Sequence, residues 1–161
     1  GMNYAGIVII FLSIFVIFPE AACSELMWEI DTQTLKFTNY SKGIDKILTF
    51  YQQLFVAKRS PYQVVINLDQ IDYIAVTYAR VPRAPFGAIG YDVWFNIHTY
   101  DGSVYSFISL TLSGKKDFNQ AVDFMKEQGI HFKDGYHILD ALHSHEHLSY
   151  YLERIDKEQS K

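Results

Sequence analysis

Residues 90–110, GYDVWFNIHTYDGSVYSFISL, decide the fold class. Val93, Phe95 and Ile97 alternate with Asp92, Trp94, Asn96 and His98. A period of two belongs to a strand whose successive side chains point to opposite faces. Asp101-Gly102 then gives a two-residue hairpin signal, because both central positions of the favoured turn need positive φ. Val104 to Leu112 returns as a second strand. The stretch therefore predicts an antiparallel hairpin with Asp101 and Gly102 at the centre of its turn. Trp94 and His98 should lie on the face opposite Phe95 and Ile97.

Working outward toward the N-terminus, Tyr62 to Leu68 reads as a strand, Asp69-Gln70 as a turn, and Ile71 to Val81 as a longer strand. Residues 82–90, PRAPFGAIG, read as a loop on their Pro and Gly content. Before these, Ile44, Ile47, Leu48, Tyr51, Leu54 and Phe55 recur at helical spacing over residues 42–58, with Ser41 as a cap and Lys58-Arg59 at the C-terminal end. Met27–Asp31 and Thr34–Asn39 are two short strands around Thr32-Gln33.

Toward the C-terminus, Phe118, Ala121, Val122 and Met125 form one helical stripe closed by Gly129. Residues 130–132 add a short extended piece. Asp134 can cap a short helix carrying Tyr136, Ile138, Leu139 and Leu142. Ser144 can cap a last helix that turns Leu148, Tyr151, Leu152 and Ile155 inward. The order ββαββββαα predicts an α+β fold: an antiparallel sheet of about six strands with helices packed on it.

An apolar segment precedes this fold. Residues 2–19 carry no charge, and residues 5–18 read AGIVIIFLSIFVIF. As a helix, residues 2–19 would span about 27 Å at roughly 1.5 Å per residue, close to a bilayer core of about 30 Å. The favoured reading is a single-pass membrane anchor over residues 1–22, followed by one α+β domain over residues 23–161. Three others stay open. A cleaved signal peptide suits the length but has no Lys or Arg before it. The stretch Glu20-Ala21-Ala22-Cys23 is similar to a lipoprotein cleavage site, except that Glu20 stands where an aliphatic residue is expected. A buried strand or helix of a soluble core suits the Ile, Val and Phe content. An interfacial segment would need a polar face, which the block lacks. The first basic residue downstream is Lys36, so flanking charge does not choose the side of the membrane.

Composition excludes several functions. The 161 residues carry a net charge of −4, so the basic footprint of a nucleic-acid binder is missing. Cys23 is the lone cysteine, which rules out an internal disulfide and a thiolate zinc site. There is no GxSxG elbow. Gly87 and Gly90 lack the strand–loop–helix context of a phosphate cradle. Asp69, Asp72, Asp92 and Asp101 fall at turns or strand ends, where Asp serves turn chemistry. No enzyme and no cofactor are expected.

Two groups of residues remain as candidate sites. His143-Ser144-His145-Glu146-His147 is the one local cluster of metal-ligand types, and imidazole suits zinc, nickel or copper. The spacing is not HExxH, and a Ser144 cap would leave His143 outside the helix. A polar helix start on the surface is thus favoured over a metal site at His143, His145 and His147. The loop from Arg80 to Gly90 is longer than the usual two to five residues of a hairpin connection. Arg80, Arg83 and Phe86 are the candidate ligand- or partner-contacting tip. In the favoured alternative Phe86 tucks into the core and the arginines pair with surface acids.

The strand stretch VINLDQIDYIAVTYARV, the hairpin GYDVWFNIHTYDGSVYSFISL and the helix DFNQAVDFMKEQGI together resemble bacterial PH-like domains, in particular those that follow membrane helices. The resemblance covers residues 65–130. It implies a curved, half-barrel sheet capped by a helix, a binding or scaffolding role, and no catalytic residues. The chain departs from that pattern in the helix at residues 42–58 and in its six strands where a PH barrel has seven.

Taken together, the sequence predicts a non-catalytic binding or assembly module held at a membrane. Membrane lipid, through the N-terminal segment, and a protein partner are the expected contacts; nucleic acid is not. The alternatives are a soluble or exported globular domain with a processed or buried apolar N-terminus, and a small metal-binding protein or enzyme using the late histidines.

Overall fold

The computed structural model describes residues 2–17, 27–39, 43–55, 60, 62–83, 88–110, 115–144 and 146–159. The chain divides into two compact units, residues 1–29 with 36–65 and residues 30–35 with 66–161. Among the described residues there are five α-helices and seven strands, and the strands form two sheets. The α+β class holds. The expectation of one sheet of about six strands is corrected to a three-stranded and a four-stranded sheet, and neither is a closed barrel.

The first unit contains α1 (Met2–Leu12), which continues as a π-helical turn over Ser13–Ile17, and α2 (Gly43–Phe55). Three short strands, β1 (Trp28–Ile30), β2 (Thr34–Phe37) and β3 (Val64–Asn67), pair in the order β1-β2-β3. The β1–β2 turn is built by Asp31. Its Oδ1 accepts the Gln33 and Thr34 N–H groups at 2.8 and 2.7 Å, and its Oδ2 accepts the Thr34 hydroxyl at 2.9 Å. Such an Asx arrangement reverses the chain without glycine.

The second unit is organised by the stretch that decided the fold class. After a 3-10 turn at Leu68–Gln70 come β4 (Ile71–Arg83), β5 (Ala88–Thr99) and β6 (Val104–Leu110). They form an antiparallel meander. A fourth strand, β7 (His131–Lys133), joins the outer side of β4 in parallel, giving the order β6-β5-β4-β7. Sequence alone predicts a short extended piece at residues 130–132, because three residues carry too little alternation to identify a strand. Its pairing is made possible by the long return through α3 (Lys115–Glu127), as parallel neighbours require a crossover. Helices α4 (Ile138–His143) and α5 (Leu148–Gln159) follow.

The hairpin turn differs from the expected one. The Gly102 N–H donates to the Thr99 carbonyl at 2.9 Å, so Tyr100 and Asp101 are the central residues. Gly102 comes next in the left-handed region at φ 85°, whereas Asp101 has no positive φ. This is the longer connection in which one left-handed residue follows the turn, and it needs one glycine instead of two positive-φ positions. The Asp101 carboxylate holds it by accepting the Thr99 hydroxyl at 2.6 Å and the Ser103 N–H at 2.9 Å.

Alternation places the core as predicted. Val93, Phe95 and Ile97 are buried, while Trp94, Asn96 and His98 on the other face are half-buried. Phe95 is fully buried, with the rings of Phe118, Phe132 and Phe107 at centroid distances of 5.5, 5.7 and 5.8 Å. Ile74 and Val76 join it from β4, Val122 and Met125 from α3, Ile138 and Leu142 from α4, and Leu152 from α5. Helix α3 ends where Gly129 adopts φ 86°, with its N–H on the Lys126 carbonyl and the Ile130 N–H on that of Met125. Those two bonds satisfy carbonyls that a helix end otherwise leaves open.

Two caps differ in detail. The residue before α4 is His137, itself left-handed at φ 53°. The Asp134 carboxylate reaches past it to accept the Leu139 N–H at 2.7 Å. Ser144 does not cap α5. Its hydroxyl donates to the Ala141 carbonyl at 2.7 Å and accepts the Glu146 N–H at 3.2 Å, so it closes α4. The first bonds of α5 run to the His147 carbonyl.

Candidate functional site

Where its side chains are described, the N-terminal block is largely exposed. In α1 and the turn after it, Ile7 is 56% exposed, Ile9 63%, Phe11 60% and Phe15 46%. Valine, isoleucine and phenylalanine occupy its whole circumference, so no polar side exists to face water. Helix α2 adds exposed Leu48, Leu54 and Phe55. A row of stacked rings joins the two helices: Phe11 on Phe15 at 4.9 Å, Phe15 on Tyr51 at 6.3 Å, and Tyr51 on Phe55 at 6.4 Å. Folded monomers rarely expose contiguous apolar patches beyond a few hundred Å², and larger ones mark a partner or a membrane. Among the described residues no helix is long and apolar enough to cross a membrane. Residues 18–22, the end of the expected anchor, lie outside the described residues, as do residues 23–26.

The β4–β5 connection is shorter than expected. Both strands run on through the predicted loop, with Pro82 opposite Ile89 and Arg83 opposite Ala88. Four residues, 84–87, separate the strand ends, and they include Phe86, which lies outside the described residues. Arg83 is the last residue of β4. Arg80 sits opposite Tyr91 and sends Nη1 to within 3.7 Å of Asp156 Oδ2 on α5. The Tyr91 hydroxyl donates to the same oxygen at 3.4 Å, and the Tyr78 hydroxyl donates to Gln159 Oε1 at 3.5 Å. Burial, and after it the Asp156 charge, push the Tyr78 and Tyr91 phenols up from their ordinary value. Both therefore stay protonated donors. This cluster ties α5 to the sheet by one ion pair and two tyrosine hydrogen bonds.

The histidines do not converge. His143 Nδ1–H donates to the Leu139 carbonyl at 2.8 Å, and its Nε2 lies 3.9 Å from Asp123 Oδ2. His147 packs its ring on Tyr150 at 5.9 Å. His145 lies outside the described residues. Among the described residues no three His, Cys, Asp or Glu side chains gather where they could hold a metal ion.

A second polar grouping, which sequence reading missed, lies on the sheet face away from α3, α4 and α5. Lys133 Nζ sits 3.2 Å from the centroid of the Tyr73 ring, and that ring stacks on His98 at 4.3 Å. Beside them Asn96 Nδ2 donates to Thr77 Oγ1 at 2.9 Å, and the Ser106 hydroxyl donates to Asn96 Oδ1 at 2.6 Å. The alternation in β5 does put Asn96 and His98 on one face. Tyr73 and Lys133 reach them only through strand register, which sequence does not print. These groups satisfy one another, so the face reads as a cross-strand ladder. The exception is the Trp94 indole N–H, buried and without a hydrogen-bond partner among the described residues.

No protein-family model, curated protein or solved structure matches this chain.

Proposed function

We propose that this protein is a non-catalytic binding or assembly module held at a membrane by its N-terminal apolar helix. The observation that carries the reading is α1, apolar around its whole circumference and exposed at Ile7, Val8, Ile9, Ile10 and Phe11. Moving a large apolar side chain from water into an apolar phase gains about 1.5–3 kcal/mol when complete, so several such residues make a bilayer the stabilising environment for α1. The second unit, with its own core of Phe95, Ile74, Met125 and Leu152, is the module that α1 carries.

In this reading the end of the β4–β5 hairpin, with Arg80, Arg83 and Phe86, is the partner-contacting tip. Arg80 pairs with Asp156, as the alternative reading expects, and the support for a contact role is that its side chain is still 56% exposed in that pair. The PH-like reading rests on the antiparallel β4–β5–β6 meander followed by α3.

The test is membrane fractionation of the untagged chain beside a chain beginning at Ser24. The full chain should sediment with membranes and need detergent. The shorter one should be soluble and unfold cooperatively. A full chain that is a soluble monomer, beside a shortened one that is unfolded by circular dichroism, would show that the block is core.

A further inference from the structure

We infer that the edge of β6 is the interface for a second copy of this chain. Two β6 strands pair antiparallel about a two-fold axis at Ser106 and join the two four-stranded sheets into one. The inference goes beyond the membrane reading and does not depend on it. Its first support is the direction of the backbone groups. Among the described residues β6 pairs with β5 alone, so its other side is the edge of the sheet. The Thr99 N–H donates to the Ser103 carbonyl at 3.0 Å, which makes these two a hydrogen-bonded pair. Bonded and non-bonded pairs alternate along an antiparallel ladder. Val104, Ser106 and Ile108, opposite His98, Asn96 and Trp94, are therefore the non-bonded positions. Their N–H and C=O groups point away from β5, toward an incoming strand.

The second support is the occupant that the sequence itself specifies. Ser103-Val104-Tyr105-Ser106-Phe107-Ile108-Ser109 reads the same in kind from either end. Under a two-fold axis at Ser106 every residue meets its own kind in the other copy: serine on serine, β-branched Val104 on Ile108, aromatic Tyr105 on Phe107. A two-fold interface sets one patch against itself, so this symmetry singles out a second copy over an unrelated strand. Cross-strand pairs of β-branched and of aromatic residues also stabilise a ladder. The third support is that this edge is unguarded. Proteins protect sheet edges with short strands, charge and proline. Strand β7, at the opposite edge, has three residues and carries Lys133, and β4 beyond it carries Arg80 and Pro82. Strand β6 has seven residues with no charge and no proline, and its Val104 is 54% exposed.

The test uses the full chain in detergent micelles, with Cys23→Ser as the parent so that no other thiol is present. Hydrogen-bonded neighbours in such a ladder stand about 5.5 Å apart at Cα, within the span that a disulfide bridges. Mild oxidation should therefore link Ser106→Cys into a dimer. Val104→Cys should stay unlinked, because its two copies would lie about 14 Å apart along the strands. Mixing Val104→Cys with Ile108→Cys should restore the link. Ser106→Pro removes an outward N–H and leaves the β5–β6 bonds in place. It should raise the dimer Kd about tenfold or more, read by sedimentation equilibrium. Circular dichroism would verify its fold, and the cysteine variants decide the matter if that fold is lost. No link at Ser106→Cys, or equal links at Ser106→Cys and Val104→Cys, overturns the inference. So does a parent that stays monomeric at every concentration, or a folded Ser106→Pro that dimerises as the parent does.

Discussion

Helices α1 and α3 use their apolar residues in opposite ways. In α3 the apolar positions fall on one stripe, and Phe118, Val122 and Met125 are at most 4% exposed. In α1 apolar residues surround the axis, and Ile7 to Leu12 are each at least 50% exposed. An apolar stripe at helical spacing on an otherwise polar helix marks the one that has a core to join. The same contrast separates the two units. One holds its fold by interior aromatic packing around Phe95, and the other presents its aromatic row outward.

The sharpest way to break this contrast is truncation on either side of it. Phe95→Ala should cost about 3–5 kcal/mol, read by urea unfolding, because it opens a cavity among three rings. Ile9→Ala should change stability in detergent by no more than about 0.5 kcal/mol, as expected for an exposed side chain. A comparable loss in both variants would mean that α1 is packed after all.

Next in size is Gly102→Val. A Cβ at this position meets nothing within 4 Å, so the cost is conformational alone. About 1–3 kcal/mol is expected from forcing a β-branched residue to φ 85°. An unchanged midpoint would show that the turn relaxes into another type.

A smaller effect should appear in acid. The Thr99 hydroxyl, followed by Ser103, holds the Asp101 carboxyl below its ordinary value of 3.8. A carboxylate lowered in the folded state adds stability above its unfolded value and loses it as pH falls through the folded one. Asp101→Asn should therefore be less acid-sensitive than the parent below the ordinary aspartate range, and no different from it in shape of the pH profile near neutrality. Parallel profiles through the acid range would remove this account of the turn.

The smallest expected effect is at the histidines. His143→Ala with His147→Ala should leave the Tm unchanged whether zinc or a chelator is added, since the two rings are committed to Leu139 and Tyr150. A zinc-dependent rise in Tm that the double variant lacks would reveal a metal site.

These contrasts also show what sequence makes legible. The β5–β6 hairpin and the α3 stripe were legible because a period of two or of 3.6 repeats over enough residues to be read. The Gly129 cap was legible because one residue type serves it. The extent of β4 and β5 was not: Pro82 and Gly90 signal a loop, yet both sit in paired strands. Proline is tolerated there because β7 pairs with β4 only at residues 73–75, leaving the rest of that edge without a β7 partner. The turn type escaped as well, because Asp-Gly serves two turn geometries and the choice is made by Thr99 and Ser103. Of the candidate residues, Arg80 could be placed but its partner could not, since Asp156 arrives from a helix far along the chain.

The parallel pairing of β7 carries a kinetic consequence. The β5–β6 contacts close a loop of a few residues, whereas Tyr73 must wait for His131, with the whole meander and α3 between them. Closing the longer loop is entropically slower, so the hairpin should form ahead of the rate-limiting barrier and β7 after it. Stopped-flow measurements on side-chain truncations would then give φ-values nearer one at Ile97 than at Phe132. Such an order leaves the outer edge of β4 open during folding, and that interval is when the second unit is most exposed to pairing with another chain.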